Sequence, residues 1–200
     1  MSLARVRLVL WGLVVIVGIA ATLFTVYQQS QPKKPQAVQF GGDFTMQRAT
    51  GGEFTQADFV GKPTMLFFGY TFCPDVCPTT LYESTTWRTE LGLSGEDVQI
   101  VFISVDPERD TPELLANYLT SFGDDLIGLT GTREQVDHIK RAFGIFAESV
   151  ESEGASDYLV NHTATLFLLD DNGDLFGTIG FGENKDSAVA KLKRLMDSNG

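Results

Sequence analysis

Residues 63–78 read Pro-Thr-Met-Leu-Phe-Phe-Gly-Tyr-Thr-Phe-Cys-Pro-Asp-Val-Cys-Pro, an apolar run that leads directly into the two cysteines of the chain, Cys73 and Cys77. The apolar part is continuous rather than alternating, which is typical of a central strand covered on both faces. Residues 79–91 then have helical character, and Pro78 is well placed as the first helical residue. A cysteine pair at such a junction indicates a redox pair or a soft-metal site, because cysteines that serve only as small core residues are more often scattered.

The chain around this stretch alternates between predicted strands and helices. The predicted elements are a hairpin over 43–54 that turns at Gly51-Gly52, strands over 98–105, 126–129, 164–169 and 174–180, and helices over 111–122, 133–143 and 186–197. The Asn-Gly pair within 171–173 is a strong turn signal between the last two strands. This order predicts an α/β fold, a thioredoxin-like domain with a central mixed sheet flanked by helices. The cysteines then lie at the carboxyl ends of strands, where open α/β sheets keep their sites.

The first part of the chain differs in character from the rest. No charged residue occurs over 8–27, and at about 1.5 Å per residue this stretch reaches roughly 30 Å, the thickness of the bilayer's hydrocarbon core. A cleaved signal peptide is the alternative, but its apolar part is usually shorter, so we favour an uncleaved transmembrane helix. Residues 1–7 are then a cytoplasmic leader, 28–40 a polar, proline-bearing tether, and 41–200 the α/β domain.

The early start of the apolar stretch leaves no room for an organellar transit peptide. It therefore favours a single-pass protein of a bacterial inner membrane. Arg5 and Arg7 before the stretch nearly balance Lys33 and Lys34 after it, but the very short leader favours an inside N-terminus, and so a soluble domain in the periplasm.

The charge of the chain bears on its partners. All 26 acidic residues lie after Gln36, but only 11 of the 15 Lys and Arg residues do, so residues 36–200 carry a formal charge of −15. A surface this acidic argues against nucleic acid as a partner, because phosphates require a basic patch.

The spacing of the two cysteines permits either a disulfide or a site for one metal ion. If Pro78 is the first helical residue, Cys77 lies at or near the helix N-cap, where backbone N–H groups and the positive end of the helix dipole favour the thiolate. A disulfide needs Cα atoms roughly 4.4–6.8 Å apart, which three intervening residues in a tight turn can meet. The same two sulfurs can instead open around one metal ion.

The two histidines of the chain differ as candidate ligands. His138 lies off the apolar face of the predicted helix 133–143, so we interpret it as a solvated helix residue. His162 stands directly before the buried strand 164–169, where a histidine that is only hydrogen-bonded at a strand entry is the alternative. Beside two thiols it is the natural third ligand. Two thiolates and an imidazole suit copper(I), and they hold copper(II) with an added ligand, whereas structural zinc takes four ligands.

Three segments resemble the Sco/SenC family in sequence and in order. They are Gly-Tyr-Thr-Phe-Cys-Pro-Asp-Val-Cys-Pro (69–78), Phe-Ile-Ser-Val-Asp-Pro-Glu-Arg-Asp-Thr (102–111) and Tyr-Leu-Val-Asn-His-Thr (158–163). With the apolar N-terminal stretch and the Asp-Asp-Asn-Gly turn at 170–173, the resemblance covers essentially the whole chain. It implies a membrane-anchored, copper-binding, thioredoxin-like protein that is involved in assembling cytochrome c oxidase.

The resemblance also implies roles for individual residues. The copper ligands of the family correspond to Cys73, Cys77 and His162, and its acidic residue beside the site corresponds to Asp106, although Asp75 is nearer in sequence. The alternative for Asp106 is a turn residue before a proline. The implied partners are the CuA-bearing subunit of the oxidase, other periplasmic copper chaperones and thiol–disulfide reductants.

Two functions remain open for the cysteine pair. One is a copper metallochaperone that serves the dinuclear CuA site. The other is a membrane-tethered thiol–disulfide reductase that keeps the copper-binding cysteines of the oxidase reduced. Thioredoxins carry CxxC and a cis-proline opposite the cysteines, whereas Thr163 follows His162 here, so the sequence favours copper handling. A thiol peroxidase is disfavoured, since that pattern needs Thr or Ser at the position of Tyr70.

Overall fold

The computed structural model describes residues 40–151 and 158–198, together with the isolated positions 7, 11, 12, 18 and 22. The predicted leader, transmembrane helix and tether lie almost entirely outside the described residues. Among the residues that are described, no helix is both long and apolar enough to cross a membrane. The chain divides into two compact units, Met1–Val38 and Gln39–Gly200, and the description below concerns the second.

The described part of the second unit contains nine strands, four α-helices and one short 3₁₀ helix. In chain order they are β1 (Thr45–Arg48), β2 (Glu53–Thr55), the 3₁₀ helix (Gln56–Phe59), β3 (Thr64–Gly69), α1 (Val76–Glu90), β4 (Gln99–Ser104), α2 (Pro112–Leu119), β5 (Ile127–Thr130), α3 (Arg133–Phe143), β6 (Ala147–Glu151), β7 (Tyr158–His162), β8 (Thr165–Leu169), β9 (Leu175–Gly180) and α4 (Lys185–Asp197).

Seven of the strands form one mixed sheet in the order β2-β1-β5-β4-β3-β8-β9, and β6 and β7 form a separate two-stranded sheet. Strand β3 pairs in parallel with β4 and in antiparallel with β8. Every residue of β3 and β4 is buried, as their continuous apolar sequences predict. The predicted α/β class and the central mixed sheet with flanking helices are therefore confirmed.

The helix that carries a cysteine begins earlier than the sequence predicts. Helix α1 starts at Val76 with Asp75 at its N-cap, so Cys77 is the second helical residue and Pro78 the third. The prediction that Pro78 is the first helical residue is wrong, whereas Cys77 does lie near the N-cap, as predicted. Proline is tolerated throughout the first helical turn, because the N–H groups there have no partner within the helix, so it does not fix the first position.

The β6–β7 hairpin is the element that sequence patterning does not reveal. Strand β6 reads Ala-Glu-Ser-Val-Glu and is mostly exposed, so it has neither the apolar run nor the alternation that identifies a strand. The hairpin matters because His162 is the last residue of β7.

Candidate metal centre

The two cysteines lie where β3 ends and α1 begins. Cys77 is fully buried at the start of the helix, whereas Cys73 is only partly buried in the loop before it. The Cys77 backbone N–H donates to Cys73 Sγ at 3.3 Å, which holds the first sulfur over the helix N-terminus. The end of β3 passes directly beneath, and a Cβ atom at Gly69 would lie 2.8 Å from Cys77 Sγ. The absence of a side chain at that position leaves the room in which the buried sulfur sits.

His162 approaches the sulfurs from the separate hairpin. Its Nε2 lies 3.4 Å from Cys77 Sγ, and its Nδ1 lies 3.1 Å from the Thr163 carbonyl oxygen. A carbonyl only accepts hydrogen bonds, so in the neutral ring Nδ1 carries the proton and the lone pair of Nε2 faces the cysteines. The donor atoms of the two cysteines and the histidine all lie within 4.8 Å of one another. The structure thus brings together the three residues that the family resemblance implies.

The two thiols differ strongly in acidity. Hydrogen bonds from the Cys77 side chain and from the backbone N–H groups of Cys77 and Asp75 outweigh burial and lower the pKa of Cys73 to about 4. Burial raises the pKa of Cys77 far above the ordinary thiol range, and the adjacent Cys73 sulfur adds to this. Near neutral pH the pair therefore holds one thiolate, at the more accessible sulfur.

A cavity of about 230 Å³ opens beside Cys73 and His162. Its walls come from both parts of the site: Tyr70, Cys73, Pro74, Asp75, Val76, Leu159, Val160, Asn161, His162 and Ala164. The rings of Phe67 and Tyr70 meet the imidazole edge to face, with centroids 6.0 Å and 5.8 Å away. These aromatic neighbours restrict the orientation of the ring, while the cavity leaves the site accessible from outside.

The two acidic residues predicted beside the site, Asp106 and Asp75, each have hydrogen-bond partners of their own. Asp106 is buried and accepts hydrogen bonds from Arg109 Nε at 2.5 Å and from the Tyr158 hydroxyl at 2.7 Å. Its carboxylate is not part of the cluster of candidate ligand atoms among the described residues. Asp75 is exposed at the N-cap of α1, where its carboxylate lies 3.4 Å from the Thr79 hydroxyl. Asp75 also contacts the site through its backbone N–H, which is hydrogen-bonded to Cys73.

His138 lies apart from the candidate site, as predicted. It is on α3, and its Nε2 lies 2.9 Å from the Asp43 carbonyl oxygen, so this histidine ties the helix to the start of β1.

Two residues of the site region escape sequence reasoning. Asp110 is buried beneath the cysteine loop and accepts hydrogen bonds from Thr71 N and Oγ1 and from Ser104 Oγ. Arg109 lies against the rings of the same loop and of β7. Both residues are within the quoted segment 102–111, where the available signal is two charged residues directly before a helix whose cap is Thr111. Charge at such a position is ordinarily solvated, so the pattern alone does not show that they are buried.

The fold and the site together define a thioredoxin-like α/β domain whose cysteine pair is completed by a histidine from a separate hairpin. The profile of the SCO1/SenC family matches residues 32–197. The chain belongs to the SCO1/SenC family.

Individual relatives agree with this assignment. The human mitochondrial SCO1 homolog is 36% identical over 158 residues, which are 78% of this chain and 52% of that protein. Protein SenC of Rhodobacter capsulatus is 35% identical over 166 residues, which are 80% of this chain and 75% of the relative. The solved structure of Bradyrhizobium japonicum ScoI with copper bound matches with a TM-score of 0.70 and 38% identity, over 78% of this chain and 99% of ScoI. The chain spans about half the length of the human relative.

Proposed function

We propose that this protein is a copper metallochaperone that assists maturation of the CuA site of cytochrome c oxidase. One observation carries the proposal: the donor atoms of Cys73, Cys77 and His162 all lie within 4.8 Å of one another, although His162 is far from the cysteines in sequence. Two sulfurs and one imidazole are a soft donor set that suits copper(I), and an added ligand would let the site hold copper(II). The copper-bound structure of ScoI from Bradyrhizobium japonicum supports copper as the cargo.

The geometry prepares all three donors for copper. Cys73 is already a thiolate near neutral pH, and the lone pair of His162 Nε2 faces Cys77. Cys77 supplies the second sulfur by giving up its proton when copper binds, because the ligating form of cysteine is the thiolate. Cys73 is the more accessible sulfur, so it is the donor from which copper passes to an acceptor.

The proposed setting is a bacterial inner membrane, with residues 8–27 as a single transmembrane helix and the domain in the periplasm. The uncharged stretch and the family membership support this arrangement. The proposed partner is the CuA-bearing subunit of the oxidase, and other periplasmic copper chaperones and thiol–disulfide reductants are further partners. A donor tethered to the membrane meets a membrane-bound acceptor at raised effective concentration.

The thiol–disulfide reductase is the second candidate, and one observation favours it. A partly exposed thiolate at Cys73 beside a buried protonated thiol at Cys77 is the asymmetry of an attacking and a resolving cysteine. The histidine favours the chaperone instead, since disulfide exchange needs no imidazole ligand at the sulfurs. The described residues also have only trans peptide bonds, so Thr163 does not reproduce the cis-proline of thioredoxins.

A copper(I) competition titration of the reduced full-length chain, beside a disulfide-reductase assay, tests both functions. The wild type should bind one copper(I). Cys73→Ser or Cys77→Ser should abolish tight binding, because a hydroxyl is not a soft donor. His162→Ala should weaken binding and leave the dithiol intact, and His138→Ala is the matched control. Equal losses for the two histidine variants would contradict the assignment, and reductase activity without copper binding would favour the second candidate.

The CuA assignment has its own test in cells. Deletion of the gene should lower cytochrome c oxidase activity most when copper is scarce, and added copper should partly restore it. If the His162→Ala variant restored activity at low copper, the chaperone function would be rejected and the reductase function would remain.

A further inference from the structure

The hairpin that carries His162 is outside the seven-stranded sheet. Within the described residues, β7 pairs only with β6, in antiparallel register. A two-stranded hairpin is marginally stable by itself, so contacts with the rest of the domain must hold it in place. The position of the histidine relative to the cysteines depends on those contacts.

Side chains take the place of a neighbouring strand along the outer edge of β7. The Tyr158 carbonyl accepts a hydrogen bond from Arg109 Nη1 at 2.9 Å, and the Val160 N–H donates to the Tyr70 hydroxyl at 3.2 Å. These two backbone groups point the same way, because residues two apart in a strand share an edge. The Tyr158 hydroxyl adds a third contact, to Asp106 Oδ1 at 2.7 Å.

Arg109 contacts both halves of the metal centre. On the hairpin side its guanidinium lies 3.7 Å from the Tyr158 ring centroid. On the cysteine side it lies 4.9 Å from the Phe72 ring and 5.5 Å from the Tyr70 ring, both in the loop that carries Cys73. The buried Asp106 carboxylate holds the guanidinium in place through Nε, and the Arg109 side chain is itself only 12% exposed. One planar cation thus packs between the histidine strand and the cysteine loop.

We propose that Arg109 is a positioning residue that locks the β6–β7 hairpin onto the cysteine loop and so places His162 Nε2 beside Cys77 Sγ. The consequence for copper depends on the proposed function, whereas the consequence for the hairpin does not. Lysine cannot substitute for Arg109, because a single ammonium cannot stack as a plane while donating in two fixed directions. Arg109→Lys therefore keeps the positive charge but loses the planar stacking and the two directed hydrogen bonds that hold the hairpin in place.

The chain offers a matched control at Arg48, on β1 beside the edge strand β2. Arg48 pairs with Asp58 at 2.7 Å, donates through Nε to the Glu53 carbonyl at 3.0 Å and lies 4.6 Å from the Phe54 ring centroid. It has the same three kinds of contact as Arg109, but its partners are on β2 and the adjoining 3₁₀ helix. Arg48→Lys reports the general cost of replacing such an arginine without touching the hairpin.

Hydrogen exchange of the copper-free full-length chain gives the first measurement. Arg109→Lys should speed amide exchange in Ala147–Glu151 and Tyr158–His162 roughly tenfold or more, while β3 and β4 keep their protection. Arg48→Lys should leave the hairpin unchanged. Unaltered hairpin exchange in Arg109→Lys, or equal acceleration in both variants, would overturn the proposal whatever the protein does with copper.

Copper(I) affinity gives the second measurement. Arg109→Lys should weaken binding roughly tenfold to a hundredfold, the range expected when a charge-assisted hydrogen bond is lost. Because Arg109 acts through His162, the Arg109→Lys/His162→Ala double variant should bind no more weakly than His162→Ala alone. Additive losses would overturn the positioning role. A wild type that binds no copper would refute the proposed function instead, and hydrogen exchange would then decide this inference alone.

Discussion

Cys73 and Cys77 are neighbours with opposite acid–base behaviour, and this difference is open to direct measurement. The pKa of Cys73 is lowered to about 4, so its thiolate persists as the pH falls until that value is approached. Burial raises the pKa of Cys77, so its thiol stays protonated throughout the neutral range. Iodoacetamide should therefore modify Cys73 selectively at about pH 6, where an ordinary thiol is almost unreactive. Peptide mass spectrometry locates the label, and equal labelling of both cysteines only near pH 9 would contradict the assignment.

Asp110 is a buried carboxylate that should matter for stability. It accepts hydrogen bonds from Thr71 and Ser104 and so ties the cysteine loop to the end of β4. Asp110→Ala should lower the free energy of unfolding by about 2–3 kcal/mol, because buried hydroxyl and N–H donors lose their acceptor. Urea denaturation measures the change. Asp97→Ala is the control, since Asp97 accepts from Ser94 N and Oγ in the same way at an exposed turn and should cost less.

At the scale of elements, the end of β3 sets how closely helix α1 can approach the sheet. An added Cβ at Gly69 would lie 2.8 Å from both Cys77 Sγ and a Phe102 ring carbon. Gly69→Ala should therefore destabilise the fold by about 1–3 kcal/mol through overpacking and displace the buried sulfur, which weakens copper(I) binding. Thermal unfolding and copper titration test the two effects together.

Gly177 in β9 provides the matched strand glycine. A Cβ there would meet nothing within 4 Å, so Gly177→Ala should be tolerated without loss of copper binding. If the two alanine variants behaved alike, the close approach at Gly69 would not be what positions Cys77.

The elements also show what a sequence can and cannot reveal. Strands β3 and β4 are recognisable because burial on both faces requires an uninterrupted apolar sequence, and the Phe67 and Phe102 side chains are indeed fully buried. The cysteine pair and His162 follow from donor chemistry and from the family resemblance. The β6–β7 hairpin could not be predicted, because β6 has neither an apolar run nor an alternating pattern and because Arg109, which contacts the Tyr158 backbone carbonyl, is 49 positions away in sequence. A contact from a side chain to a distant backbone carbonyl leaves no periodicity.

At the scale of the whole molecule, the proposed membrane topology has a direct test. If residues 8–27 span the inner membrane with the N-terminus inside, protease added to spheroplasts should digest the domain beyond about residue 36. A cytoplasmic marker protein should stay intact in the same sample. Protection of the domain until the membrane is opened would reverse the topology.

The acidic surface should affect how fast the proposed transfer occurs. With a formal charge of −15 over residues 36–200, the domain should prefer an acceptor with a basic patch. Copper transfer to a soluble CuA domain should then slow as sodium chloride is raised, because salt screens the attraction that guides encounter. Stopped-flow absorbance would follow the rate, and a rate independent of salt would exclude electrostatic guidance.

The histidine of the candidate site is far from the cysteines along the chain: His162 follows Cys77 by 85 positions and ends a strand of the two-stranded sheet, whereas Cys77 is on helix α1. During synthesis both cysteines therefore leave the ribosome well before His162. A chain that stalls or misfolds presents copper with the two thiols but without the histidine in place. Under the proposed function, tight copper capture is a property that only a finished protein has. By mass action the cargo also stabilises the native state, by about 2.7 kcal/mol at a free concentration a hundredfold above Kd. Under this proposal, a chain that carries copper is therefore a folded chain, and a misfolded chain reaches the oxidase without copper to deliver.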